Sequence, residues 1–177
     1  GAPTWLTGTY DPDLGLVYWG TGNGGPWNPA TRGGDSLYIG SVLALKPATG
    51  ELVWHYQFSP GDPYDYDGVN ELVLADLPNM PGAGGKTTKV LMQANRNGFL
   101  YVLDRITGKM LLASPMVKKL TWAKGIAPDG RPIMNPDQVP TVEGKLICPA
   151  VEGAANFFST SYSPQTKLFY VNTLEKC

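Results

Sequence analysis

Glycine and proline interrupt this chain too often for it to hold long helices. With 22 Gly and 16 Pro among 177 residues, the two make up about a fifth of it, where a sum near 12% is usual. Short strands separated by many turns are what such punctuation permits. The apolar runs agree. Leu16-Val17-Tyr18-Trp19, Ser41 to Leu45, Leu52 to Tyr56, Lys89 to Met92, Phe99 to Leu103 and Lys167 to Val171 are short. They are rich in β-branched, aromatic and leucine residues, and Gly, Pro, Asp or Asn bounds them. Residues 116–142 show little alternation and read as a long excursion. An all-β chain is expected.

Composition narrows the class further. Hydrophobic residues at 42% and charged residues at 16% exclude a disordered chain. A net charge of −1 argues against nucleic acid as a partner. No apolar run approaches the ~18 residues of a transmembrane helix, so no integral membrane segment is expected. The sequence opens in mid-pattern at Gly1, without Met or a signal peptide, and stops at Cys177 just after a strand-like run. Residues 1–177 therefore read as an internal part of a single domain extending beyond both ends. The two cysteines, Cys148 and Cys177, are open on count alone to one disulfide or two buried thiols.

Internal repetition specifies the architecture. Residues 44–54, ALKPATGELVW, have a counterpart in residues 102–112, VLDRITGKMLL. Each reads as a strand, a turn closed by Thr-Gly, and a returning strand. Residues 9–20 pair in the same way with residues 161–172, a Pro-containing turn preceding a Leu-aromatic-Tyr strand or its variant. Hairpins repeating with long insertions suggest blades of a β-propeller. A β-sandwich with similar hairpins is the competing architecture.

Two polar stretches stand out. Between Lys46 and Lys86 there is no Lys or Arg, yet Glu51, Asp62, Asp65, Asp67, Glu71 and Asp76 fall there. Asp65 and Asp67 lie two apart, which in an extended stretch puts both on one side. Carboxylates aimed at one point repel unless a cation or a shared proton intervenes, and hard cations take such oxygen ligands. A solvated acidic loop is the plainer alternative. The run Gly20 to Asn28 lets backbone approach a ligand closely; taken by itself, it is better explained as a Gly-rich turn with Asn23 at positive φ.

Taken together, these pieces resemble the pyrroloquinoline quinone (PQQ)-dependent alcohol dehydrogenases, the methanol and ethanol dehydrogenases among them. The resemblance rests on Thr4-Trp5, on Gly20-Thr21-Gly22-Asn23 with Pro26-Trp27-Asn28, on Asp65-Tyr66-Asp67-Gly68-Val69-Asn70, and on Asn95-Arg96-Asn97-Gly98 before the strand Phe99 to Leu103. Ala44, Gly50 and Trp54 look like the family's tryptophan-docking motif. Lys46 departs from the usual Asp or Asn, and the second copy has Val102 and Leu112 at its ends while keeping Asp104 and Gly108. The resemblance implies an all-β fold forming part of an eight-bladed propeller.

It also implies roles. Trp5 matches the aromatic floor under the quinone, Asn23 a side-chain amide ligand of the metal, and Trp27 a residue of the substrate pocket. Asp65 matches the catalytic carboxylate beside the metal, a general base for the alcohol's hydroxyl proton. Arg96 matches the arginine contacting quinone and carboxylate, and Asn156 an asparagine that hydrogen-bonds the cofactor. Cys148 and Cys177 match a structural disulfide. Asp67 stands where calcium-dependent members usually carry Ala, Ser or Thr, and resembles the lanthanide-dependent branch. One added carboxylate supplies a ligand and a negative charge to a trivalent ion. Gly61 replaces a common His.

The implied cofactors are PQQ and a lanthanide ion, with Ca2+ as the alternative. The implied substrate is a small primary alcohol, the electron acceptor a cytochrome c-type protein, and the setting periplasmic, with a homodimer possible for the whole protein. The family's glutamate ligand and vicinal disulfide would lie upstream of Gly1. The other function class is a non-catalytic propeller that binds proteins; it should lack the Trp5, Asn23, Asp65 and Arg96 combination.

Overall fold

The alternation along each strand decides which side chains face the core. In the computed structural model, which describes residues 1–80 and 83–177, β1 (Thr9–Asp11), β2 (Leu16–Gly20), β3 (Ser41–Leu45) and β4 (Leu52–Gln57) form one antiparallel sheet in sequence order. A second sheet has β5 (Val73–Leu77), β6 (Thr88–Ala94), β7 (Phe99–Asp104) and β8 (Met110–Pro115) in the same order. Two hairpins follow. One joins β9 (Ala123–Ile126) and β10 (Pro132–Met134), the other β11 (Ser161–Ser163) and β12 (Leu168–Tyr170).

The repeats read from the sequence occupy equivalent places. Residues 44–54 close the β3–β4 hairpin and residues 102–112 the β7–β8 hairpin, each with a register shift beside the turn. The other pair forms the β1–β2 and β11–β12 hairpins. Two meanders stacked face to face, with a third hairpin against the second, are the arrangement expected of consecutive propeller blades. Tyr18, Val42, Ala44, Trp54 and Tyr56 of the first sheet bury against Leu91, Phe99, Tyr101 and Leu103 of the second. Val90, Met92 and Val102 bury on the opposite face, where Tyr162 and Phe169 of the third hairpin pack. That is why β6 is buried on both faces from Val90 to Ala94.

The docking tryptophan works as its motif implies. Ala44 pairs with Trp54 across β3 and β4, and the small Ala leaves room for the indole to lie over Tyr18, 5.5 Å away between centroids. Its far side meets Gly108, in the Thr-Gly turn of the next sheet, where a Cβ would fall 2.5 Å from Trp54 Cε3. Gly108 also has a φ of +76°. A Gly108→Ala substitution therefore combines a left-handed backbone penalty with overpacking, and is expected to destabilise by about 2–4 kcal/mol. Urea denaturation of the whole protein, monitored by tryptophan fluorescence, would measure it. Leu112, the counterpart of Trp54, stays 45% exposed.

Residues 116–142 are more ordered than their composition predicts. They hold the β9–β10 hairpin and Trp122, which is fully buried. The Trp122 indole N–H donates to the Asn97 carbonyl at 2.7 Å, and its ring lies against Tyr64, Tyr66 and Phe99. Cys148 and Cys177 form a disulfide. No helix among the described residues is long and apolar enough to cross a membrane.

Candidate active site

Meander topology gathers the polar residues at one end of the two sheets. Trp5 precedes β1, Asn23 follows β2, Asp65 and Asp67 follow β4, and Arg96 sits between β6 and β7. In antiparallel order these chain positions share an end, while the tight turns Pro12–Gly15, Lys46–Glu51 and Arg105–Lys109 lie at the other.

Asp67 is the hub. Its carboxylate is almost fully buried and accepts the Trp5 indole N–H at 2.6 Å on Oδ2 and the Asn23 backbone N–H at 2.5 Å on Oδ1. Arg96 Nη1 lies 3.3 Å from Asp67 Oδ2, and Arg96 Nη2 lies 3.6 Å from Asp65 Oδ2. The guanidinium is itself held by Nη2 donating to the Val151 carbonyl at 2.5 Å. Gly22 makes the approach possible, since a Cβ there would stand 3.1 Å from Asp67 Oδ1 and 2.9 Å from Pro3 Cγ.

Asp65 and Asp67 do come together, but not through an extended strand. Asp65 has a φ of +70° and lies in the irregular segment after β4. Burial pushes its carboxyl above the usual range; Arg96 opposes that rise and Asp67 adds to it. Asp62, three residues earlier, is fully buried, and burial lifts it to about 7 against two backbone N–H donors.

Several expectations meet a different geometry. Asn23 is not at positive φ, since among the described non-Gly residues only Ser36, Asp65, Asn79 and Lys167 are. The Asn156 side chain is engaged locally: its Nδ2 donates to the Glu152 carbonyl and its Oδ1 accepts the Phe157 N–H. Two residues earlier, the Ala154 N–H donates to the Arg96 carbonyl. Trp27 is exposed and lines a cavity of about 380 Å³ with Tyr64, Tyr66, Leu146 and Val151. Asp62 and Val151 were not singled out by sequence. The Asp62-Pro63 pair is a turn signal, whereas a backbone carbonyl such as that of Val151 leaves no trace in composition.

The family model for the PQQ glucose/ethanol/alcohol dehydrogenase β-propeller domain matches residues 1–127. The chain belongs to this quinoprotein family. It is 45% identical to quinoprotein alcohol dehydrogenase PedH of Pseudomonas putida, over 99% of the chain and 30% of that relative. It is 44% identical to a lanthanide-dependent methanol dehydrogenase of Methylacidiphilum fumariolicum, over 100% of the chain and 29% of the relative. A europium-containing methanol dehydrogenase superposes with a TM-score of 0.91 at 43% identity, covering 98% of this chain and 30% of the other. The chain thus spans under a third of the length of these quinoproteins.

The residues present fit part of a quinone and metal site. Trp5 is 44% exposed although its N–H is tied to Asp67, so the indole offers an apolar plate beside charge. Arg96 Nε is buried with no hydrogen-bond partner. Asp67 Oδ1 accepts one donor, the Asn23 N–H, and an oxygen of this kind can accept a second. These are oxygen donors of the kind hard cations take. Among the described residues no three of His, Cys, Asp and Glu gather around one point.

Proposed function

We propose that the whole protein oxidises primary alcohols to aldehydes with PQQ and a lanthanide ion. The observation that carries this reading is the convergence of Trp5, Asn23 and Arg96 on Asp67, with Asp65 on the same guanidinium. When bound, PQQ would supply the hydride acceptor and the metal ion a Lewis acid beside it.

The chain's own residues do the rest. Trp5 gives the flat cofactor a rigid surface, fixed in orientation by its bond to Asp67. Arg96, always charged, supplies an unused N–H and holds Asp65 in place. Asp65 takes the alcohol's hydroxyl proton on its carboxylate; burial raises its basicity, which suits a general base. Asn23 and Asp67 hold the metal together with Asp65. Asp67 adds the negative charge that favours a trivalent ion over Ca2+. Trp27 and its neighbours form the apolar wall for the alcohol's carbon chain, and Asn156 would supply a hydrogen bond to the cofactor.

The Cys148–Cys177 disulfide supports an oxidising compartment, and we place the protein in the periplasm with a cytochrome c-type electron acceptor. A protein-binding propeller without catalysis would have no use for a guanidinium held between two carboxylates beneath an exposed indole. Dye-linked ethanol oxidation by the whole protein with PQQ tests the reading. Lanthanum should support turnover more strongly than calcium. Activity with calcium alone would keep the enzyme and discard the lanthanide. Inactivity of a folded, loaded sample across primary alcohols would favour the binding propeller.

A further inference from the structure

We propose that Asp62 is the positioning residue that fixes Asp65 for proton transfer, an assignment that rests on the alcohol-oxidation reading above. Asp62 is fully buried, and among the described residues no cation pairs with its carboxylate. A buried carboxylate without a counter-ion is costly, so its hydrogen bonds show what holds it there. Oδ1 accepts the Tyr64 N–H at 3.0 Å and Oδ2 accepts the Tyr66 N–H at 2.9 Å. Those two amides bracket Asp65. The residue between them is the one at φ +70°, a conformation that a non-Gly residue keeps only when its surroundings over-determine it.

The clamp is itself fastened. Arg32 Nη2 donates to the Asp62 carbonyl at 2.8 Å and to the Trp27 carbonyl at 3.1 Å. In the core the Tyr64 and Tyr66 rings stack 5.1 Å apart, and the Tyr66 hydroxyl donates to the Pro149 carbonyl. Asp67 depends on none of this, because Trp5, Asn23 and Arg96 hold it independently. Loss of the Asp62 carboxylate should therefore loosen Asp65 and leave Asp67 in place.

Asp62→Asn keeps the volume but turns one acceptor into an N–H donor facing an N–H. In the whole protein loaded with PQQ and lanthanum, kcat for ethanol should fall on the order of tenfold to a hundredfold, the loss that small misplacement of a reacting group produces. KM should stay near that of the parent. Terbium affinity of the cofactor-free protein, read by tryptophan-sensitised luminescence, should fall by a smaller factor than kcat, because Asn23 and Asp67 stay in place while Asp65 loosens. An unchanged kcat would overturn the assignment, as would terbium affinity falling by the same factor as kcat or more, the mark of a disrupted metal site. Hydrogen exchange in the parent protein gives a reading that needs no variant: the Tyr64 and Tyr66 amides should exchange as slowly as the strand amides of β6. Fast exchange at both would overturn the clamp whatever the activity. Failure of the parent to oxidise any alcohol would instead count against the functional reading.

Discussion

Replacing Asp65 by Asn in the whole protein is expected to lower kcat for alcohol oxidation by about 10²–10⁴-fold, the range for loss of a positioned general base. Asn has nearly the same shape and can still meet Arg96, but it cannot take a proton. The fold should tolerate the change. Asp65 is partly exposed, its contact with Arg96 spans 3.6 Å, and Arg96 keeps its closer pairing with Asp67. The unfolding midpoint should therefore stay close to that of the parent, because the isosteric amide leaves the buried Arg96–Asp67 pair intact. Steady-state kinetics beside a denaturation curve separate the two effects. Retained turnover in a folded sample would remove Asp65 from its role, and the positioning argument for Asp62 would go with it.

How far the sequence reached depends on which interactions are local. β2 and β4 were legible because one face of each meets the neighbouring blade, so buried and exposed residues alternate: Leu16, Tyr18 and Gly20, then Trp54 and Tyr56. The docking motif was legible because Trp54 and Gly108 are constrained by each other, the ring needing a neighbour without Cβ. Residues 116–142 were not. Trp122 buries itself through contacts with Tyr64, Tyr66 and Phe99, all distant in sequence, and no periodicity announces that. At the site, the pairing of Asp65 with Asp67 was readable from their spacing, but its cause was misread. Two-residue periodicity belongs to strands. Here a side chain three residues away, Asp62, holds an irregular backbone segment that reaches a similar end. Arg96 stood out only by resemblance, because its partners Asp67 and Val151 are 29 and 55 residues away in the chain.

Asp67→Ala tests the lanthanide assignment and should have the larger structural effect of the two substitutions. It strips acceptors from the Trp5 indole N–H and the Asn23 N–H, and leaves Asp65, at 3.6 Å, as the one carboxylate beside the Arg96 guanidinium among the described residues, with the Val151 carbonyl still accepting from it. Arg96 is nearly fully buried, and removing one partner of a buried pair costs roughly 3–5 kcal/mol. Stability of the metal-free protein should fall by about that amount. Metal binding should suffer separately. Loss of a supporting outer-shell residue lowers metal affinity about 10–100-fold, so loss of a ligand that also carries charge should cost at least on the order of a hundredfold for lanthanum. Calcium should lose less, because a divalent ion needs less compensating charge. The ratio of lanthanum- to calcium-supported turnover is therefore the informative quantity. Asp67→Asn sharpens it: the amide keeps an acceptor for Asn23 and the side-chain volume, while removing the charge. A collapse of the ratio in the Asn variant would trace the preference to that charge. An unchanged ratio in both variants would mean that the metal is chosen by ligands elsewhere in the protein, and that Asp67 serves to orient Trp5 and Arg96.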